Sequence, residues 1–225
     1  MLVQLLRRIL HPLLWKAYRR HNKKPHWQTV GGLQVFTAPG VFHPRWFLTT
    51  RTLTDFALSK VKAEQSVLEL GAGNGVLALS CSRTGAQVTA SDINPAAVTS
   101  IEKSTKRNKL DLTVIQSDLF LSIPQQAFDF IFINPPYFPQ APRNDQERAF
   151  LCGENFEYFQ RFFSEWQSYA TATTFMILTD ACDLSSIQTI ASEHRCHLRE
   201  VASKKTWGEQ HLIFQVMLQE EDVGG

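Results

Sequence analysis

The sequence has no acidic residue before Asp55, no run of 18 or more uncharged apolar residues, and no CxxC pair among its four cysteines. The lack of a long apolar run excludes an ordinary transmembrane helix. The cysteines are too widely spaced to predict a disulfide framework or a zinc site, so we expect a reducing compartment, the cytoplasm. The seven histidines show no HxxxH spacing, and no metal site is predicted. Cys152 and His43 are interpreted as structural residues.

A chain of 225 residues is long enough for one α/β domain with a modest extension and too short for two full domains. We divide it into a basic extension over residues 1–54 and a second domain over residues 55–225. The extension carries nine Lys or Arg and no carboxylate, whereas the rest carries 14 basic and 21 acidic residues. This asymmetry is typical of contact with nucleic acid or a membrane surface, or of packing between the two parts.

Residues 2–20 have the apolar spacing of a helix, which Pro12 breaks or kinks. Arg7, Arg8 and His11 interrupt any signal-peptide core, so secretion is not expected. A mitochondrial presequence fits the arginine-rich composition, although serine is missing. We prefer a helix that packs on the second domain.

Strands and helices alternate after this segment. A small β-hairpin is predicted within residues 31–44, strands at 65–70, 86–92, 112–118, 128–134 and 175–180, and helices at 45–61, 76–84, from 95, at about 146–170 and at 184–194. The last segment reads as a hairpin of two strands. Repeated β-then-α units predict a mostly parallel sheet with helices on both faces, and ligands bind such sheets at the carboxyl ends of the strands.

A glycine-rich turn, Gly71-Ala72-Gly73-Asn74-Gly75, follows the first of these strands. Glycine lets the backbone turn sharply and lets a ligand approach without meeting a Cβ atom. A dinucleotide fingerprint needs a glycine where Val76 stands, so the NAD interpretation is weakened.

Two aspartates end the next two strands. Asp92 follows Gly71 by 21 residues, where an acidic side chain can accept hydrogen bonds from both hydroxyls of a ribose. Asp118 can accept from an adenine amino group, with Ile93 and Leu119 beside the ring. Taken singly, each aspartate could instead be a helix cap or a turn residue.

Asn134-Pro135-Pro136-Tyr137 ends the strand at 128–134. The two prolines remove two backbone donors and fix φ, which leaves a rigid turn with exposed carbonyls. The Asn134 side-chain oxygen and the Pro135 carbonyl can each accept one hydrogen of an NH₂ group, and Tyr137 can stack on a planar substrate. Rate would come mainly from alignment and preorganised acceptors.

In this order, LELGAGNG, ASDIN, QSDLF and INPPYF resemble the successive motifs of the class I S-adenosylmethionine-dependent methyltransferases, over about residues 35–215. The resemblance implies a Rossmann-like fold with seven strands, the last antiparallel. It implies that the Gly71–Gly75 turn lies under the methionine end of the cofactor and that Glu69 faces its ammonium group. Asp92 would then bind the ribose, and Asp118 with Leu119 the adenine.

The Asn134–Tyr137 tetrapeptide resembles that of methyltransferases acting on planar amino groups. One branch, the HemK-type enzymes, methylates glutamine side chains of release factors, and another methylates exocyclic amines of RNA or DNA bases. The sequence has no acidic, proline-containing motif before the glycine turn, where HemK-type enzymes carry one. The stretch 147–163, ERAFLCGENFEYFQRFF, resembles small bacterial methyltransferase-like proteins.

Two functions remain open at this point. The first is methyl transfer from S-adenosylmethionine to a planar nitrogen of a macromolecule, either a protein glutamine or a nucleic-acid base. The second is a catalytically inactive module that binds the cofactor together with RNA or a protein partner. The intact tetrapeptide favours the enzyme, and the basic segment is compatible with contact with nucleic acid, although charge alone does not choose among the alternatives above.

Overall fold

The structure, a computed structural model, describes residues 24–41, 48–206 and 209–219. The helix predicted at 2–20 and His43 lie outside these residues. The strands, in chain order, are β1 (His26–Val30), β2 (Leu33–Thr37), β3 (Ser66–Leu70), β4 (Gln87–Asp92), β5 (Thr113–Gln116), β6 (Phe130–Ile133), β7 (Thr173–Thr179), β8 (Cys196–Thr206) and β9 (Glu209–Leu218). The helices are α1 (Leu48–Lys60), α2 (Val76–Ser82), α3 (Pro95–Asn108), α4 (Asp145–Arg148), α5 (Glu157–Trp166) and α6 (Leu184–Glu193).

Seven strands form one sheet in the order β5-β4-β3-β6-β7-β9-β8. The first five run parallel, and β9 pairs antiparallel with both β7 and β8. The predicted Rossmann-like sheet with a C-terminal antiparallel hairpin is therefore confirmed. No helix of the described ranges is long and apolar enough to cross a membrane.

Helices cover both faces of the sheet. Because successive side chains of a strand point to opposite sides, each strand contributes apolar residues to both layers of helices. On β6, Ile131 and Ile133 join a cluster that includes Phe159, Phe162 and Trp166 of α5. Phe132 joins the opposite cluster, which contains residues of α1, α2 and α3. The buried core thus lies on two sides of one sheet, as the repeated β-then-α pattern predicts.

Side chains of α3 take the place of a neighbouring strand along the free edge of β2. Ser104 Oγ accepts from the Phe36 amide at 2.9 Å, and Ser100 Oγ accepts from the Ala38 amide at 3.0 Å. Asn108 exchanges two hydrogen bonds with the backbone of Gln34, at 2.9 and 2.7 Å. Four helical residues rise by about 6 Å and two strand residues by about 6.6 Å, so the two spacings match. This match fastens the hairpin to the domain.

The hairpin lies earlier in the chain than the sequence predicted. Its strands flank Gly31 and Gly32, which have φ of +56° and +82°, and the first strand precedes residue 31. The pairing Val30–Leu33 across this two-glycine turn sets the register, because both central residues of such a turn need positive φ.

The single helix predicted at 146–170 is wrong. Residues 149–156 separate α4 from α5, and Gly153 and Phe156 have φ of +93° and +57°, which ends helical geometry. The Phe150 carbonyl accepts from the amides of Tyr137 and Phe138, and the Cys152 amide donates to the Phe138 carbonyl. The backbone after the proline pair thus finds its hydrogen-bond partners in this segment, which therefore cannot continue as a helix.

We expect Ser104→Ala to lower the free energy of unfolding by about 1–3 kcal/mol, because it leaves the buried Phe36 amide without an acceptor. Urea unfolding measures the loss, and hydrogen exchange at Phe36 should accelerate. Ser59→Ala is the matched control, since Ser59 is an exposed helical serine that bonds only its own helix. Equal stabilities of the two variants would contradict the role given to the α3 side chains.

Candidate functional site

Three motif residues lie at the carboxyl ends of neighbouring strands. Leu70 of β3 pairs with Ser91 of β4 on one side and with Ile133 of β6 on the other. The next residues along the three strands are Gly71, Asp92 and Asn134. The parallel register therefore brings them to one edge of the sheet, as the sequence predicted for residues at carboxyl strand ends.

The glycine turn is left-handed at three positions, Gly71, Gly73 and Gly75, with φ of +70°, +57° and +74°. A Cβ atom at Gly71 would meet nothing within 4 Å, so open space lies above the turn there. A Cβ atom at Gly75 would lie 2.9 Å from Ile101 Cγ1, so that glycine allows α2 to pack closely on α3. Ala72 is buried, and its amide donates to the Ser91 carbonyl at 2.8 Å.

Glu69 lies beneath this turn and is buried. Its Oε2 accepts from the Ala78 amide at 2.8 Å and so caps the first turn of α2, where Gly75 offers no side chain. Burial raises the pKa of Glu69 to about 8, and the nearby Asp92 charge adds to this, against the effect of the Ala78 bond.

Asp92 accepts hydrogen bonds from the backbone of two loops, the one after β3 and the one after β4. Its Oδ2 accepts from the Gly73 amide and its Oδ1 from the Asn94 amide, each at 2.8 Å. Burial raises the pKa of Asp92, and the charge of Asp145 contributes in the same direction. A carboxylate has about four lone-pair positions, so each oxygen keeps capacity for a further donor.

Asp118 lies two residues after β5, in a loop whose Leu119 has a φ of +49°. The Asp118 carboxylate accepts from Arg161 Nη1 at 2.9 and 3.1 Å and is partly exposed. Leu119 is buried in the core cluster shared with α5, whereas Ile93 is half-buried.

Asn134 begins the proline turn and contacts the first turn of α1. Its Nδ2 donates to Thr49 Oγ1 at 3.3 Å, which turns the side-chain oxygen away from Thr49. The same helix is fixed to β9, because Thr52 Oγ1 lies 2.8 Å from Nδ1 of the fully buried His211. The orientation of the Asn134 amide therefore depends on how α1 docks on the sheet.

Pro135 is buried, while Pro136 and Tyr137 are half-buried. The Tyr137 ring centroid lies 4.8 Å from that of Phe138, and its hydroxyl group lies near the Thr179 side chain at the end of β7. Burial raises the pKa of Tyr137, so its hydroxyl group stays protonated at neutral pH.

A cavity of about 370 Å³ opens beside Asn94, between the segment after β2 and the start of α4. Its lining residues are Pro39, Gly40, Asn94, Asn144, Asp145 and Gln146. A larger depression of about 660 Å³ lies at the amino ends of β4 and β5 and contains none of the motif residues. Within the described ranges, no group of three or more His, Cys, Asp or Glu side chains is placed to hold a metal ion.

Several residues of this edge were not predicted as site residues from the sequence: Thr49, Asp145, Tyr158, Arg161 and Glu165. Tyr158 and Arg161 belong to the stretch 147–163, whose resemblance to other proteins assigned no role to single residues. The only signal for Tyr158, Arg161 and Glu165 is their spacing of three and four residues, which puts them on one face of α5. Their partners lie about 40 residues away in the sequence, so their role became visible only in the fold.

Comparison with known proteins identifies the group to which this arrangement is similar. The family profile of the methyltransferase small domain matches residues 32–152, more than half of the chain. A putative protein N5-glutamine methyltransferase of Methanocaldococcus jannaschii is 34% identical over 113 residues, which cover 49% of this chain and 54% of that protein. The ribosomal RNA small subunit methyltransferase C of Haemophilus influenzae is 35% identical over 127 residues, covering 55% of this chain and 35% of that protein.

Among solved structures, the T. thermophilus 16S rRNA N2 methyltransferase in complex with AdoMet and guanosine superimposes with a TM-score of 0.58. It is 22% identical and the match covers 85% of this chain and 50% of that one. The fold is therefore shared, while the chain matches about half or less of the length of these curated relatives.

The raised pKa of Glu69 predicts how the free energy of unfolding changes with pH. Between the ordinary pKa of glutamate and about 8, the folded protein holds a proton that the unfolded chain has lost, so this group makes stability fall as pH rises. Glu69→Gln keeps an acceptor for Ala78 and removes the titration. Relative to wild type, the variant should gain up to about 1.4 kcal/mol of stability per pH unit in that window.

Urea unfolding at several pH values from 5 to 8.5 measures this difference. Glu102→Gln, at an exposed position on α3, is the control and should run parallel to wild type. Parallel curves for Glu69→Gln as well would show that Glu69 is ionised throughout this range.

Proposed function

The chain belongs to the methyltransferase small-domain family, and from that membership we propose that it is an S-adenosylmethionine-dependent N-methyltransferase. Its substrate is a planar amino group on a macromolecule, either a protein glutamine side chain or the exocyclic amine of a nucleic-acid base. The observation that carries the proposal is the register of β3, β4 and β6, which sets the open glycine turn at Gly71 between Asp92 on one side and Asn134 on the other.

The residues at the glycine turn fit such a cofactor. Open space above Gly71 leaves room for a ligand at the backbone, and carboxylates of Glu69 and Asp92 lie beside it. S-adenosylmethionine supplies an electrophilic methyl group when bound. We assign Glu69 and the turn Gly71-Ala72-Gly73-Asn74-Gly75 to its methionine end, Asp92 to the ribose, and Asp118 with Ile93 and Leu119 to the adenine.

Asn134, Pro135, Pro136 and Tyr137 form the proposed catalytic element. Because Thr49 takes one Nδ2 hydrogen of Asn134, the Asn134 Oδ1 is left as an acceptor for one hydrogen of the substrate amine. The Pro135 carbonyl accepts the other, and Asn134 also borders the cofactor. Two fixed acceptors hold the amine in the plane that directs its lone pair toward the methyl group, which is catalysis by alignment.

The basic extension, residues 1–54, is proposed to contact nucleic acid, and the protein is proposed to act in the cytoplasm. Among the described residues, Trp27 supports the proposed contact with nucleic acid. It is 45% exposed, packs 5.2 Å from the Phe36 ring and has the Arg107 guanidinium 5.8 Å from its own ring. An exposed aromatic ring beside cations is the pairing that single-stranded nucleic acids use for stacking and charge.

We expect Asn134→Ala to lower the turnover number by about two orders of magnitude or more and to leave the cofactor dissociation constant nearly unchanged. Thr49→Val should give a smaller loss in the same direction, and Thr49→Ser should restore activity. The assay is transfer of a labelled methyl group to a lysate of cells lacking the gene, with isothermal titration for cofactor affinity. Equal losses of cofactor binding and turnover would make Asn134 a structural residue.

The same lysate identifies the substrate class. Label that disappears on ribonuclease treatment indicates a base, and label that disappears on protease treatment indicates a glutamine. Cofactor binding with no label in any fraction would favour an inactive cofactor-binding module.

For a nucleic-acid substrate, affinity should fall by about 0.7–0.9 log units per log unit of salt for each phosphate neutralised. Replacing Arg19, Arg20, Lys23 and Lys24 together with Gln should flatten this slope. The measurement is a salt titration of substrate binding, with Lys204→Gln on β8 as the control. An unchanged slope would limit the basic extension to a surface feature.

A further inference from the structure

One face of α5 is tied to the loop that follows β5. Arg161 Nη1 lies 2.9 and 3.1 Å from the two carboxylate oxygens of Asp118, and its Nη2 lies 3.1 Å from Glu165 Oε1. The other Glu165 oxygen accepts from the Phe120 amide at 3.2 Å. The guanidinium of Arg161 thus joins two carboxylates. Asp118 belongs to the loop after β5, and Glu165 accepts from the backbone of the same loop.

The loop itself is held in an unusual conformation. Leu119 is left-handed, a conformation that is unfavourable for a residue with a Cβ atom. Ser117 Oγ donates to the Leu119 carbonyl at 2.8 Å and accepts from the Ser122 amide at 2.9 Å. The Ser117 amide donates to the Asp92 carbonyl at 3.0 Å. The position of Asp118 relative to Asp92 is therefore fixed by several bonds at once.

The ion pair is not needed to hold α5 in place. The side chains of Arg161 and Asp118 are 48% and 36% exposed, and pairs at such exposure contribute little to folding stability. Buried rings of α5, including Phe159, Phe162 and Phe163, already anchor the helix in the core. What the pair does determine is the plane and rotamer of the Asp118 carboxylate.

Tyr158 lies on the same face of α5 and is half-buried. The charges of Asp92 and Asp118 act on its hydroxyl group. Together with the bonds of Arg161 and Glu165, this puts that face of α5 on the side of the two carboxylates assigned to the nucleoside.

We propose that Arg161 is the positioning residue of the adenine subsite: it presets the Asp118 carboxylate as the acceptor for the 6-amino group, and Glu165 holds Arg161 in place. This inference rests on the proposed function for the identity of the cofactor. A preset acceptor costs no further ordering when the ligand binds. It also selects adenosine over inosine, because inosine carries an oxygen where adenosine carries the donor.

The test compares two ligands, S-adenosylhomocysteine and S-inosylhomocysteine, by isothermal titration on the full chain. Wild type should prefer the adenosine ligand. Arg161→Gln should weaken that ligand about tenfold and leave the inosine ligand nearly unchanged, so the preference shrinks. Arg161→Lys and Glu165→Gln should lie between, and Arg199→Gln, which removes an exposed arginine of the outermost strand β8, should match wild type.

A double-mutant cycle shows whether Arg161 acts through Asp118. In an Asp118→Asn background, Arg161→Gln should have no further effect on the preference. Urea midpoints equal to that of wild type exclude a folding defect as the cause.

Three results would overturn the proposal: an unchanged preference in Arg161→Gln, equal weakening of both ligands, or tighter binding of the adenosine ligand. The last would show that the guanidinium obstructs the base. Failure of the proposed function looks different, since wild type would then bind neither ligand, or would bind S-adenosylhomocysteine and transfer no methyl group.

Discussion

Two acidic side chains, Asp92 and Glu69, accept hydrogen bonds from backbone amides and hold the candidate site together. A left-handed glycine turn has little conformational preference of its own, because glycine loses more freedom on folding than any other residue. Asp92 takes the amide of Gly73, and Glu69 takes the amide of Ala78 at the start of α2. The turn is thus fixed by groups that burial keeps partly desolvated, and the same groups face the space in which we place the cofactor.

The side of the site formed by α4 depends on how the backbone around two prolines finds its hydrogen-bond partners. Pro135 and Pro136 donate no backbone hydrogen bonds, and the residues after them pair with the segment before α5. That pairing ends α4 after one turn and brings it against the segment after β2. A Cβ atom at Gly40 would lie only 2.6 Å from Gln146 Nε2, which shows how closely the two loops approach. The cavity beside Asn94 lies between them.

The hairpin of β1 and β2 is separate from the seven-stranded sheet, yet it contacts the glycine turn of the candidate site. Its second strand bonds to α3 at every second residue, and α3 supplies a side chain at every fourth. The Thr37 hydroxyl group then accepts from the buried Asn74 side chain within the glycine turn, at 3.4 Å. The segment before the domain therefore supports the turn as well as the outer face of α3.

The sequence by itself determined the parallel sheet, its order of strands and helices, and the edge at which the motif residues meet. These follow from short-range patterns: apolar strands, glycine at a strand end, and Asn94 and Pro95 at the start of α3. Parallel register then carries Gly71, Asp92 and Asn134 to one line without further information.

Only the tertiary structure decided the remaining features. The break between α4 and α5 depends on the backbone groups after the proline pair, which need hydrogen-bond partners from residues 150–152. The local sequence of the segment between α4 and α5 does not indicate this pairing. The bond between Arg161 and Asp118 spans 43 residues, and that between Phe36 and Ser104 spans 68. Each is made by residue types that are ordinary on any solvated helix, so their partners are set by the packing of whole elements and not by the neighbouring sequence.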